Sequence, residues 1–213
     1  MTDAKRLLRE DPPGEDKRRQ ILVGANHVFL ANGYEGASMS DIALEAGVSK
    51  GTLYVYFTNK EALFSAAVQQ YSREHAAHVF DSLSPEAPLE AALRNCGLRY
   101  IELLLVPEVQ AIYRVVIAES PKFPELGRAF FEAGPGRSLT RLSQFLRDRA
   151  ASGELQLDNP ALAADQFFDL CKSTIILRCQ MQVIETPKLE QIAPIVDEAV
   201  RIFLKAYRPE TTP

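Results

Sequence analysis

The chain has 213 residues, 46% hydrophobic and 24% charged, with a formal net charge of −4, the make-up of a globular protein able to bury a core in one or two domains. A negative balance excludes a general nucleic-acid coating protein but not a sequence-specific reader, because phosphate affinity follows local charge. No apolar run approaches the ~20 residues needed to span a bilayer, and the charged start (Lys5, Arg6, Arg9, Glu10, Asp11) is neither a secretory signal nor a transit peptide, so a cytoplasmic protein without membrane contact is expected.

Residues 1–15, with Pro12-Pro13-Gly14 among many charges, read as a disordered arm, and Pro209–Pro213 as a disordered end. No segment alternates as a strand; apolar positions recur at helical spacing, which predicts an all-α chain. Ile21, Leu22, Ala25, Val28 and Phe29 form the first stripe, ended by Asn32-Gly33, with Gly33 suited to a left-handed position. After the segment 38–60, Leu63, Ala67, Tyr71 and Val79 predict a helix running to about Leu83, before Ser84-Pro85. Leu89, Leu93, Cys96, Tyr100 and Leu103 line the next, closed by Pro107. Ile112, Val115, Val116 and Glu119 belong to another, which stops before Pro121 and Pro124. Leu126, Phe130 and Phe131 make a short piece, broken at Gly134-Pro135-Gly136; Leu139, Leu142, Phe145 and Leu146 follow, up to Gly153. Asn159-Pro160 is an N-cap and first-turn proline that starts one long helix carrying Phe167, Leu170, Thr174, Leu177 and Met181. Beyond Thr186-Pro187 the last helix carries Ile192, Ile195, Val196, Ala199, Val200 and Phe203.

Segment 38–60 is the most informative. Ser38-Met39-Ser40-Asp41 is a capping box, Ile42 and Ala43 face inward, Gly47 supplies a positive φ, and Val48 plugs the space between two crossed helices. Ser49 caps the second helix, which Leu53 and Phe57 anchor. Its outer face then presents Lys50, Gly51, Thr52, Tyr54, Val55 and Tyr56. A helix in a DNA major groove reaches base edges with its N-terminal residues and phosphates with its flanks. Lys50 and Thr52 are the base-edge candidates, Val55 suits a thymine methyl, and Gly51 leaves room for close approach. Tyr54, Tyr56 and Lys60 suit phosphates, as do Ser38, Ser40 and Ser49 near helix N-termini and Lys17 upstream. A structural helical hairpin with surface tyrosines is the plain alternative.

The run Gly47-Val48-Ser49-Lys50-Gly51-Thr52-Leu53-Tyr54-Val55-Tyr56-Phe57, then Asn59-Lys60-Glu61-Ala62-Leu63-Phe64, resembles the DNA-binding signature of TetR-type transcriptional regulators over about residues 16–64. Downstream, Arg114–Glu119, Phe123-Pro124-Glu125-Leu126 and Phe130–Pro135 resemble the AefR-like C-terminal domain of that family. Val55 departs from the histidine or second aromatic of many relatives. The resemblance implies a homodimeric, ligand-responsive repressor on a palindromic operator, with a DNA-binding domain over 16–64 and an effector-binding and dimerisation domain over 65–208. A helical adaptor that keeps the fold without binding DNA is the alternative.

On that reading the two last long helices pair across a two-fold axis through Phe167, Leu170, Thr174, Leu177, Met181, Ile192, Val196, Val200 and Phe203, the alternative being the chain's own core. Tyr100, Leu103, Ile112, Tyr113, Val116, Phe130, Phe131, Phe145, Phe167 and Cys171 are candidate linings for an apolar or amphipathic effector. No cofactor is implied. Cys96, Cys171 and Cys179 lack CxxC spacing, and His75 with His78 lacks a third ligand at useful spacing, so no metal is expected. With no glycine-rich phosphate loop, GxSxG elbow or evident nucleophile with a base, an enzyme is not expected.

Overall fold

The computed structural model describes residues 14–209, except the side chains of residues 71–78. Most of the expected arm, the extreme C-terminus and the side chains of Tyr71, His75 and His78 therefore lie outside the described residues. Glu15, placed in the arm by the sequence, already opens a helix. Among the described residues the elements are eleven α-helices and one 3-10 turn, with no strand. They form two compact units that divide between Ala67 and Val68.

The first unit holds α1 (Glu15–Gly36), α2 (Met39–Glu45), α3 (Lys50–Tyr56) and the start of α4 (Lys60–Ala76). Ile21, Leu22, Ala25, Val28 and Phe29 are buried along α1. Gly33, at φ 70° and ψ 178°, breaks the helical path and lets Tyr34 turn inward. There Tyr34 stacks on Phe29 (5.9 Å) and meets the edge of Phe64 (5.4 Å), forming an aromatic triad. Gly24 has a second, steric role. A Cβ there would lie 2.8 Å from the Ala46 backbone nitrogen, so α1 packs against the α2–α3 turn only because the side chain is missing.

In the second unit, α4 tightens into a 3-10 turn at Ala77–Phe80 rather than continuing helically to Leu83, a common way to end a helix ahead of Ser-Pro. Then come α5 (Leu89–Leu105), α6 (Pro107–Glu119), α7 (Pro124–Ala133), α8 (Pro135–Ala151), α9 (Pro160–Lys172), α10 (Ile175–Gln180) and α11 (Leu189–Tyr207). Pro107, Pro124, Pro135 and Pro160 each stand at a helix start, where no backbone N–H is needed. Pro107 thus opens α6 as well as following α5.

The single long helix expected from Asn159-Pro160 through Met181 is corrected to two. Asn159 does cap α9 by accepting from the Leu162 amide (3.1 Å), but the path breaks at Ser173, with φ 42° and ψ −133°. Thr174 follows at φ −95° and ψ −4°, so the pair makes a type II′ turn between α9 and α10.

Leu93, Cys96, Ile101, Leu142, Leu146, Phe167, Phe168, Val196 and Phe203 build one continuous core. Here α8 packs on α9, and α11 packs on α5 and α9. Gly97 permits a close approach: a Cβ there would stand 2.8 Å from Val196 Cγ1 and 3.0 Å from Cys171 Sγ. Among the described residues, Arg149 is the charged side chain buried in this unit. It donates to Glu154 Oε1 (2.7 Å) and to the carbonyls of Ser84 (3.0 Å) and Ala87 (2.5 Å), and it stacks on Phe145.

Candidate nucleic-acid interface

Each helix of the α2–α3 pair is started by a serine. Ser38 Oγ accepts from the Asp41 amide (3.1 Å) and donates to Asp41 Oδ2 (2.6 Å), so the carboxylate returns to the hydroxyl rather than to the Ser38 backbone. Ser49 Oγ accepts from the Thr52 amide (3.0 Å) and pairs with Thr52 Oγ1 (2.7 Å). Between them, Gly47 sits at φ 61°, with its N–H on Leu44 O (3.0 Å) and the Val48 N–H on Ala43 O (2.9 Å). That is a Schellman turn, and it fixes the angle between the helices. Two further ties escape a reading of periodicity: Gln20 Nε2 donates to Ala46 O (2.6 Å), and His27 meets Glu45 (3.0 Å). Gly24 carried a signal, a lone glycine amid a buried helical stripe.

On α3, Leu53 is the buried residue. Lys50, Gly51, Tyr54 and Val55 are exposed, Val55 to 82%, while Thr52 and Tyr56 are half-buried. One face of a seven-residue helix therefore shows an ammonium, a phenol and a branched apolar tip. Ser40 is exposed on α2, and Lys17 on α1 donates to Gln20 Oε1 (2.9 Å). The hydroxyls of Ser38, Ser49 and Thr52 are committed to capping.

Lys60 requires a correction. Its Nζ donates to the carbonyls of Tyr34 (2.7 Å), Ala37 (2.9 Å) and Glu35 (3.4 Å), and lies 4.4 Å from the centre of the Tyr34 ring. A cation is favoured at the unpaired carbonyls of a helix C-terminus, and here it holds α1 to the start of α4 instead of standing free for a phosphate. Lys60→Met is expected to destabilise the protein by about 1–2 kcal/mol in urea unfolding and to leave DNA affinity unchanged under conditions where the variant is folded. Unchanged stability with a selective loss of DNA affinity would restore the phosphate-contact role.

In the second unit the expected partner-facing residues separate sharply. Phe167, Ile192, Val196, Val200 and Phe203 are buried in the chain's own core, which corrects their assignment to a surface between copies. A side chain packed inside one protomer has no area left for another. Leu170 is half-buried, whereas Thr174, Leu177 and Met181 are exposed.

The effector candidates scatter likewise. Phe167 and Cys171 are core, and Ile112 and Val116 are buried on α6. Leu103 packs against the core, and Phe131 is 53% exposed. Phe130 braces Tyr113 edge-on at 5.0 Å. Phe145 belongs to a groove of about 500 Å³ beside Arg141 and Arg149. Tyr100 and Tyr113 do come together, in a cavity of about 330 Å³ with Leu104, Asp169, Lys172 and Ile176. A further groove of about 470 Å³ includes Gln110, Arg114 and Val183. Burial raises the Cys96 thiol, and takes the Cys171 thiol to about 12, so both stay protonated and unreactive.

A capped helix-turn-helix with an open reading face, followed by a helical second unit, defines the class: a DNA-binding regulator. Comparison with known proteins makes this specific. The model for bacterial regulatory proteins of the tetR family matches residues 21–67, and that for the AefR-like transcriptional repressor C-terminal domain matches residues 91–209. The chain belongs to the TetR family of transcriptional regulators, which are not enzymes.

Among solved structures, a TetR-family transcriptional regulator from Mesorhizobium loti MAFF303099 is 28% identical, with a TM-score of 0.84, covering 93% of this chain and 100% of that one. The flavonoid-responsive regulator FrrA is 32% identical, with a TM-score of 0.83, covering 92% and 100%. The HTH-type transcriptional activator FasR of Mycolicibacterium smegmatis is 42% identical over 59 residues, 28% of this chain. The match spans 27% of FasR, and 58% and 61% of two other curated relatives. Among the described residues no helix is long and apolar enough to cross a membrane.

Proposed function

We propose that this regulator is a ligand-responsive repressor: a homodimer that binds a roughly palindromic operator and is released by a small apolar or amphipathic effector. The observation that carries the DNA half is the face of α3, where Lys50, Tyr54 and Val55 are exposed while Leu53 alone is buried. In this assignment residues 16–64 read DNA and 65–208 hold the effector and the partner copy. Two-fold symmetry then sets the recognition helices about 34–36 Å apart, one turn of duplex.

The partner surface is supported by apolar side chains left open on α9–α11, namely Leu162, Leu177, Met181, Leu189 and Ile202. Exposed apolar side chains mark an interface where they join into one patch. The effector is supported by the cavities of the second unit and by the name of FrrA, which describes that protein as flavonoid-responsive. FasR is named as an activator, so the sign of regulation is read directly in the test.

The test combines a gel shift on DNA upstream of the protein's own gene, run from 50 to 200 mM salt, with light scattering and a promoter-reporter assay. Expected are a dimer, specific binding that weakens steeply with salt, and rising transcription when the gene is deleted. A monomer, or binding indifferent to sequence and salt, sinks the proposal and leaves the adaptor. Falling transcription on deletion replaces repression with activation.

A further inference from the structure

The effector reading above leaves open what the ligand is and which part of the fold responds. We propose that the cavity around Tyr100 and Tyr113 takes a small, uncharged, planar aromatic molecule bearing an acceptor oxygen, and that the turn at Ser173 is the element it holds. The proposal rests on that effector reading.

The cavity measures about 330 Å³, within the roughly 300–1,000 Å³ of small-molecule sites and near their lower end. Two fused or linked rings are therefore a better match than a long amphiphile. Tyr100, Tyr113, Leu104, Ile176 and Leu177 give it flat and apolar walls, while Asp169, Lys172, Ser173 and Gln180 make the remainder of its lining polar. The Tyr100 ring is held 3.9 Å from Phe168, and Tyr113 is braced by Phe130, so both faces are set before a ligand arrives.

Tyr100 is only 7% exposed, yet its hydroxyl has no hydrogen-bond partner among the described residues. Buried polar groups are almost always paired, and an unpaired one on a cavity wall is a donor waiting for an acceptor. Burial also holds that phenol well above its ordinary range, so it stays protonated and able to donate. The charges on the same wall, Lys172 and Asp169, neutralise each other at 2.6 Å. Neither sign is therefore demanded of the ligand.

Ser173 lies on this wall too. It occupies the first central position of a type II′ turn, which favours glycine, and serine is strained there. The helix that follows presents Leu177 to the cavity and leaves it, with Met181, open on the surface proposed for the partner copy. An occupant that packs on Ile176 and Leu177 stabilises the kinked junction and fixes where those two side chains stand.

Calorimetry on the full-length protein tests this with chromone, whose carbonyl accepts, against naphthalene, a hydrocarbon of similar size. Chromone is expected to bind at least tenfold tighter. Tyr100→Phe should remove that advantage while leaving naphthalene within about twofold, and Ile176→Trp, which fills the cavity, should abolish both. Ser173→Gly, which relaxes the turn in the form seen here, should tighten chromone several-fold. Equal binding of the two probes, no effect of Tyr100→Phe, or no binding overturns the ligand assignment. An indifferent Ser173→Gly overturns the role of the turn. Operator affinity without probe is measured in parallel on every variant; its absence in the wild type defeats the regulator reading instead.

Discussion

Lys50→Ala is expected to lower operator affinity on the order of a hundredfold while leaving the fold intact. Lys50 is the first residue of α3, exposed, and carries no structural hydrogen bond among the described residues, in contrast to Lys60. A well-placed side chain on a base edge contributes about 1–3 kcal/mol. A dimer loses it twice, and each ~1.4 kcal/mol is tenfold. Tyr54→Ala should weaken specific and non-specific DNA together, because a phosphate contact carries no sequence information. Thr52→Val should act differently from both: its hydroxyl is paired with Ser49, so the loss falls first on the cap of α3. The measurements are gel shifts on operator and scrambled duplexes, with circular dichroism as the folding control. Wild-type affinity in Lys50→Ala would remove Lys50 from the interface.

The largest loss of stability is expected from Arg149→Ala. The guanidinium is buried and serves two loop carbonyls, Ser84 and Ala87, along with Glu154 and the face of Phe145. Its removal leaves those acceptors unmet in a part-buried setting, which costs about 2–4 kcal/mol. Urea unfolding of wild type and variant would read the difference.

The difference also has a pH dependence of fixed sign. The hydrogen bond from Arg149, helped by its charge and by Ser152, holds the Glu154 carboxyl below its ordinary 4.5. A group whose folded pKa is lowered stabilises the fold above its unfolded value and loses that contribution as pH falls through the folded one. The gap between wild type and Arg149→Ala should therefore stay constant from neutral pH down to about 5 and narrow below about 4.5. A gap that widens in acid would contradict the pairing.

The helix-turn-helix is legible in sequence because its determinants are local. Ser38, Gly47 and Ser49 each act on a backbone group within a few residues, and residue type alone announces the role. The N1 prolines mark helix starts for the same reason. The turn at Ser173 was hidden because the position favours glycine and holds serine, so the apolar spacing ran through it undisturbed. Lys60 looked like a phosphate contact because nothing in its neighbourhood in sequence reveals the carbonyls of Tyr34, Glu35 and Ala37, more than twenty residues away. A stripe such as Ile192, Val196, Val200 and Phe203 shows that a face is buried but not by which chain, and here it is buried by α5 and α9 of its own.

The anchoring of α3 bears on how such a regulator changes its target over evolutionary time. The helix gives Leu53 to the interior and is held at its ends by Ser49 and by the Phe57 amide on Leu53 O. Lys50, Gly51, Tyr54 and Val55 are therefore nearly decoupled from folding, and substitutions at exposed positions of this kind usually alter stability by less than about 0.5 kcal/mol. A lineage can rewrite these four positions one at a time, acquiring a new binding site through a series of intact proteins. The hydrophobic scaffold beneath stays constant while the code above it drifts.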